Sequence, residues 1–194
     1  MEEREMTQRF HGLFSDILSL MEDIEKGFFG QNAKLVKDTH EKFRELLKFR
    51  ATQVEKIMGD KEKDAAEMKY VSLIVPFQTI ALGMENLIDR METKLDSNIL
   101  FSEKALTEIR ELFLIMVSQV KDTRDYVITK NPHLGDTIKK DREEMMKLAD
   151  NYSVVHEERL IAGCCMPKAS YLYIDITDSL KRIAKGLVEF AERL

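Results

Sequence analysis

The side chains able to carry chemistry are few in this 194-residue chain, and their spacing decides what each is worth. Four histidines, His11, His40, His133 and His156, are the first metal candidates. None follows a glutamate by three residues, so the Glu-x-x-His pairs that build di-metal sites inside helical bundles are missing. They read as ordinary surface or capping histidines. Cys164 and Cys165 are adjacent; neighbouring cysteines rarely bridge, and no second pair completes a soft-metal site. Asp175 and Asp178, with Glu157 and Glu158, are acidic enough for stray cation binding, but read more simply as a first-turn charge bias at a helix N-terminus. Lys181 and Lys185 share one helical face four residues apart, either as an anion site or as solvated lysines beside an apolar seam, and surface lysines are the default. Met91, Met116 and Met145 fall on core spacing. There is no Gly-x-Ser-x-Gly, no phosphate loop and no His-Glu-x-x-His, so catalysis is not expected.

The elements that hold these residues are helices. In the last stretch, Ile176, Leu180, Ile183, Leu187, Phe190 and Leu194 step by four and three, the seam of a helix packed in a bundle. Phe77, Ile80, Met84, Leu87 and Met91 repeat that seam 103 residues earlier. The chain thus reads as one unit twice over: residues 1–98 and 99–194, each of three helices. The first helix runs from about Glu5 to Lys26 and stops at Gly27–Gly30. The second starts at Asn32, carries Val36, Phe43, Leu47, Val54 and Ile57, and ends at Gly59–Lys63. The third, about Ala65–Leu95, is apolar on more than one face and belongs in the middle of the bundle, with Pro76 as a kink. Asp96–Asn98 links the halves.

Ser102 and Glu103 open the fourth helix, whose heptad is Leu106, Ile109, Phe113, Met116, Val120, Thr123 and Val127. Asn131-Pro132 breaks it. The fifth covers about His133–Ala162 and ends at Gly163–Met166; Pro167 stands at the entrance to the sixth. Short loops make neighbours antiparallel, so the expectation is an all-α, six-helix up-down bundle. Its buried centre is the joint seam of Phe77, Ile80, Met84, Leu87, Leu180, Ile183, Leu187 and Phe190.

Composition narrows the partners. A net charge of -5 without a basic segment gives no footing for nucleic acid, and none for bulk attraction to anionic membranes. The N-terminus MEEREMTQRF has no apolar core of a secretory signal. The apolar run Val71–Met84 is broken by polar residues and reads as too short to span a bilayer. A reducing cytosol suits two unpaired cysteines.

Leu180–Glu192 reads LKRIAKGLVEFAE and Phe77–Asp89 reads FQTIALGMENLID. Both resemble the L-E-R-I-G-D-H-A-x-N-I-A-E motif that PhoU-like proteins carry on the third helix of each of two three-helix repeats. Leu180, Arg182, Ile183, Ala191 and Glu192 match in the later copy, Ile80 and Asn86 in the earlier, where Asp89 replaces Glu. His156–Cys165 and Tyr173-Ile174-Asp175 look like the link and start of the family's last helix, most like PhoU-like domains of sodium–phosphate cotransporters. The resemblance spans most of the chain; it is specific from His156 onward and only architectural in the first two helices.

The resemblance implies a cytosolic, non-enzymatic regulator or accessory of phosphate uptake or signalling. It would work by contact with a transporter or sensor, reach a membrane only through that partner, and leave a homodimer open. In the family, the motif's Glu and the Asp four residues later ligate metal clusters. Here those pairs are Gln78 with Leu82, and Lys181 with Lys185. An amide, an isobutyl group and two ammoniums cannot replace hard anionic oxygens, so neither a metal nor another cofactor is expected. The lysines could instead stand in for the metal by pairing with carboxylates on neighbouring helices. Two other readings remain: a metal-binding bundle with relocated ligands, with hydrolytic chemistry, and a plain dimerising scaffold.

Overall fold

Punctuation residues divide the chain into six α-helices in a computed structural model that describes residues 3–58 and 65–194, with side chains from 4–49 and 67–194. They are α1 (Glu3–Phe29), α2 (Ala33–Met58), α3 (Ala65–Asp96), α4 (Glu103–Thr129), α5 (Pro132–Ile161) and α6 (Pro167–Arg193). Asn32 Oδ1 accepts from the Leu35 N–H, Ser102 Oγ from Ala105 and Asn131 Oδ1 from His133, so α2, α4 and α5 each begin on a side-chain cap, while α6 begins at Met166 without one. Lys130 closes α4 in the left-handed region at φ 50°, and Gly163 turns after α5 at φ +71°. The expected break at Gly59–Lys63 and the side chains of Val54 and Ile57 lie outside the described residues.

One glycine has a different role from the one expected. Helix α1 ends at Phe29, within the expected Gly27–Gly30 break though past Gly27 itself, and the turn is made at Gln31, φ 55°. A Cβ at Gly27 would sit 2.7 Å from the Val36 side chain, so this glycine lets α1 and α2 approach closely rather than ending a helix.

The most extensive helix pair is α3 with α6, followed by contacts of α4 with α5 and α1; α2 and α5 flank the outside. The α3–α6 contact is reciprocal. A Cβ at Gly83 would lie 2.7 Å from Ile183 Cγ1, and one at Gly186 would lie 2.7 Å from Ile80 Cγ1. Both Ile–Gly pairs have the same three-residue spacing and lie 103 residues apart, so each helix offers a bare backbone to the other's isoleucine. Ile80, Met84, Leu87, Leu180, Ile183, Leu187 and Phe190 are all buried. Phe190 takes Phe10 and Phe14 edge-on, each with ring centroids 5.0 Å away, which ties α6 to α1. Phe77 is only half-buried and packs at the margin of this core.

Helix α3 is less enclosed than its composition predicts. Met68, Val75 and Leu82, seven residues apart, are 61%, 54% and 60% exposed along one outward line. Its length is also greater than the broken apolar run implied: Glu67–Asp96 is long and apolar enough to cross a bilayer by length and composition, yet here its inner face is packed against α6, α2 and α1. Pro76 lies inside the helix and leaves the carbonyl of Ser72 without its usual N–H partner. Arg193 Nη1, from the last turn of α6, donates to that carbonyl at 3.0 Å. The backbone group lost to proline is satisfied from the neighbouring helix.

Candidate functional site

The outward faces of α3 and α6 hold the two motif pairs singled out in the sequence. On α3, Gln78 and Leu82 are exposed beside Val75 and Met68, a mostly apolar surface. On α6, Lys181 Nζ lies 3.0 Å from Asp150 Oδ1 on α5 and 3.7 Å from Asp178 Oδ1 on its own helix. The Lys185 side chain is 60% exposed and lies 3.8 Å from Glu189, one turn on. The two lysines therefore behave differently: one bridges helices, the other is a solvated i,i+4 partner.

These residues do not fit the metal clusters that the motif implies. A hard divalent cation needs several oxygen ligands, preferably charged. Leu82 supplies none, and at α6 the carboxylates of Asp150 and Asp178 already face an ammonium. Among the described residues no three His, Cys, Asp or Glu side chains converge on one point.

The histidine reading needs correction. His11 is half-buried and His133 exposed, but His40 and His156 are 2% and 4% exposed. His40 sits between α2 and α3, with Nδ1 2.7 Å from Glu92 Oε2 and Nε2 3.1 Å from Glu85 Oε1, the latter an ion-pair distance without hydrogen-bond alignment. The carboxylates address different ring nitrogens, so they do not gather around one metal position. Arg44 completes the group, with Nη2 and Nε both 2.8 Å from Glu85 Oε1. The signal was present in the sequence: His40 continues the Val36–Phe43 seam, and His156 follows Met145, Ala149 and Tyr152 at steps of four and three.

The acidic residues are also placed differently. Helix α6 begins at Pro167, so Asp175 and Asp178 lie in its third and fourth turns, not its first, and its first turn holds no acid. Asp175 Oδ2 instead lies 2.8 Å from Arg90 Nε of α3 as an ion pair, and Arg90 lies over the Tyr171 ring. Glu157 and Glu158 are exposed; Cys164 and Cys165 are free thiols, exposed and half-buried.

Three ionisable groups escaped the sequence reading, Lys94 and Glu108 buried and Asp141 half-buried. Lys94, 3% exposed, donates to Gln31 Oε1 at 2.8 Å and lies near the faces of Phe28 and Phe101; burial lowers its pKa. Asp141, facing Asp122 of α4 and Glu144, has its pKa pushed up to about 6, first by burial and then by those carboxylates. Glu108, 1% exposed, accepts two hydrogen bonds from Arg159 at 2.8 and 3.1 Å and one from the Tyr173 hydroxyl at 2.7 Å. Burial and that bond push the Tyr173 phenol far above its ordinary range. Beside it, Tyr152 donates to Glu111 at 2.5 Å and is raised to about 12, first by burial.

Together, the six antiparallel helices, their reciprocal α3–α6 centre and the two outward motif faces define the class: an all-α bundle with the PhoU fold. The crystal structure of PhoU from Pseudomonas aeruginosa superposes with a TM-score of 0.77 over 98% of this chain and 92% of that one, at 12% sequence identity. No family model matches the sequence, and no curated protein does.

Proposed function

We propose that this chain is a cytosolic, non-enzymatic regulator or accessory of phosphate uptake or phosphate signalling. It works by contact with a transporter or sensor protein, and its two repeats, 1–98 and 99–194, carry motif faces that have lost their metals. The observation that carries the reading is the PhoU fold over 98% of the chain. Support for the loss of metal comes from the Lys181–Asp150 bridge, which puts a fixed ammonium among carboxylates where the motif would need a cation. A fixed charge keeps α5 and α6 tied without a dissociable ion.

The test is phosphate uptake in cells of the source organism with the gene deleted, then restored. Changed uptake, or changed expression of phosphate-starvation genes, restored by the wild-type gene, is the expected result. Unchanged uptake and expression under both phosphate limitation and excess overturns the reading. Elemental analysis of protein purified without chelator should show less than one metal per chain.

A further inference from the structure

His156 is buried where α4, α5 and α6 meet, and its tautomer is fixed by its neighbours. Its ring stacks on Tyr173 with centroids 4.3 Å apart and planes 21° apart. Nδ1 lies 3.4 Å from Arg159 Nη2, and a guanidinium only donates, so Nδ1 holds a lone pair. The ring hydrogen must then sit on Nε2, which is buried and has no hydrogen-bond partner among the described residues. A neutral imidazole in that position tolerates its surroundings; an imidazolium would put a proton on Nδ1 against Arg159.

We propose that His156 is an acid-sensitive pin for the C-terminal turns of α5: packed and neutral in the closed bundle, it takes up a proton when those turns open and so favours the opened state. The charged and titratable groups around it come from every packed element. Glu108 on α4, Arg159 on α5 and Tyr173 on α6 act on the ring directly, and one contact further out lie Lys104 beside Glu108, the Tyr152–Glu111 pair, and Cys165 near Arg159. Glu108 favours the charged ring, but it is already engaged by Arg159 and Tyr173. Burial first, then Arg159, holds the closed-state pKa below the ordinary 6.5.

The sign follows from linkage. Above about pH 6.5 the ring is neutral both closed and open, and the pin contributes fully. Below it the open form binds the extra proton, and each further pH unit raises the open population by up to about tenfold until the closed-state pKa is reached. Opening would break the Arg159–Glu108 and Tyr152–Glu111 contacts and uncover the Glu108–Tyr173 pair.

The experiment is amide hydrogen exchange, expressed as protection factors, at about pH 7.5 and about pH 5, on the full chain. Protection over Ala149–Ile161 should fall about tenfold in the wild type, and less than about twofold in His156→Gln, which cannot titrate. Asp141→Asn, which removes the α5 carboxyl whose pKa burial raises, should leave the wild-type fall intact. Equal falls in the wild type and His156→Gln overturn the proposal. A separate readout needs no variant: imidazole nitrogen spectra should show the Nε2–H tautomer at neutral pH and a midpoint below 6.5. A midpoint at or above 6.5, or the Nδ1–H tautomer, overturns it as well.

Discussion

At the residue scale, the α3–α6 glycines give the clearest test. Alanine is ordinarily the better helix former, by about 1 kcal/mol. At Gly83 the added methyl would meet Ile183 Cγ1 at 2.7 Å, with the Ile183 backbone nitrogen and the Ser179 carbonyl both at 3.3 Å. Overpacking should win, and Gly83→Ala is expected to lose about 1–3 kcal/mol in denaturant titration; the same change should cost less in an Ile183→Ala background, where the γ-carbon it meets is gone. The lysine bridge gives a second test. Lys181→Glu with Lys185→Asp removes the fixed ammonium and gathers carboxylates beside Asp150 and Asp178. The double variant should bind a divalent cation in calorimetry, where the wild type does not; no heat from either protein would mean that these oxygens fail to converge. Much at this scale was hidden in the sequence. His40, Glu108 and His156 stand on apolar seams, a position that signals burial but does not reveal the partner brought to it from another helix.

At the element scale, helix ends were the legible part. Asn131-Pro132, Ser102 and Gly163 are local signals, and a cap needs no distant partner to form. Gly27 was misleading because a glycine that ends a helix and a glycine that admits a neighbouring helix have the same composition. The expectation that a third helix apolar on more than one face is enclosed by the bundle fell short at Met68, Val75 and Leu82 for a related reason: apolarity records a demand for burial, not the helix that would meet it. The Pro76 carbonyl arrangement yields a cycle of mutants. Arg193→Ala should cost about 0.5–1.5 kcal/mol by leaving the Ser72 carbonyl without its donor. In a Pro76→Ala background the helix supplies its own N–H, so the same change should cost measurably less. Equal costs in both backgrounds would show that Arg193 acts through some other contact.

At the scale of the whole molecule, acid and core mutations report on different parts. Asp141 is raised from 3.8 to about 6, so the folded chain binds the extra proton between those values and loses that advantage as pH rises through them. Asp141→Asn should therefore stabilise the protein at pH 7, by about 1 kcal/mol after solvent screening, and do little below about pH 4. Phe190→Ala, which empties the space between α1 and α6, should lower stability by about 3–5 kcal/mol at any pH. The bundle itself was legible because the same seam occurs twice; the reciprocal insertion that joins the copies was not, since it depends on which helices become neighbours. That reciprocity bears on ancestry. Gly83 is a notch and Ile80 a knob, and Gly186 and Ile183 repeat both. Either half therefore carries what it needs to clasp a duplicate of itself, as a half-length precursor pairing two-fold before gene duplication fused the copies would have done. Expressed alone, 99–194 should sediment as a dimer, and Gly186→Leu should return it to a monomer or unfold it.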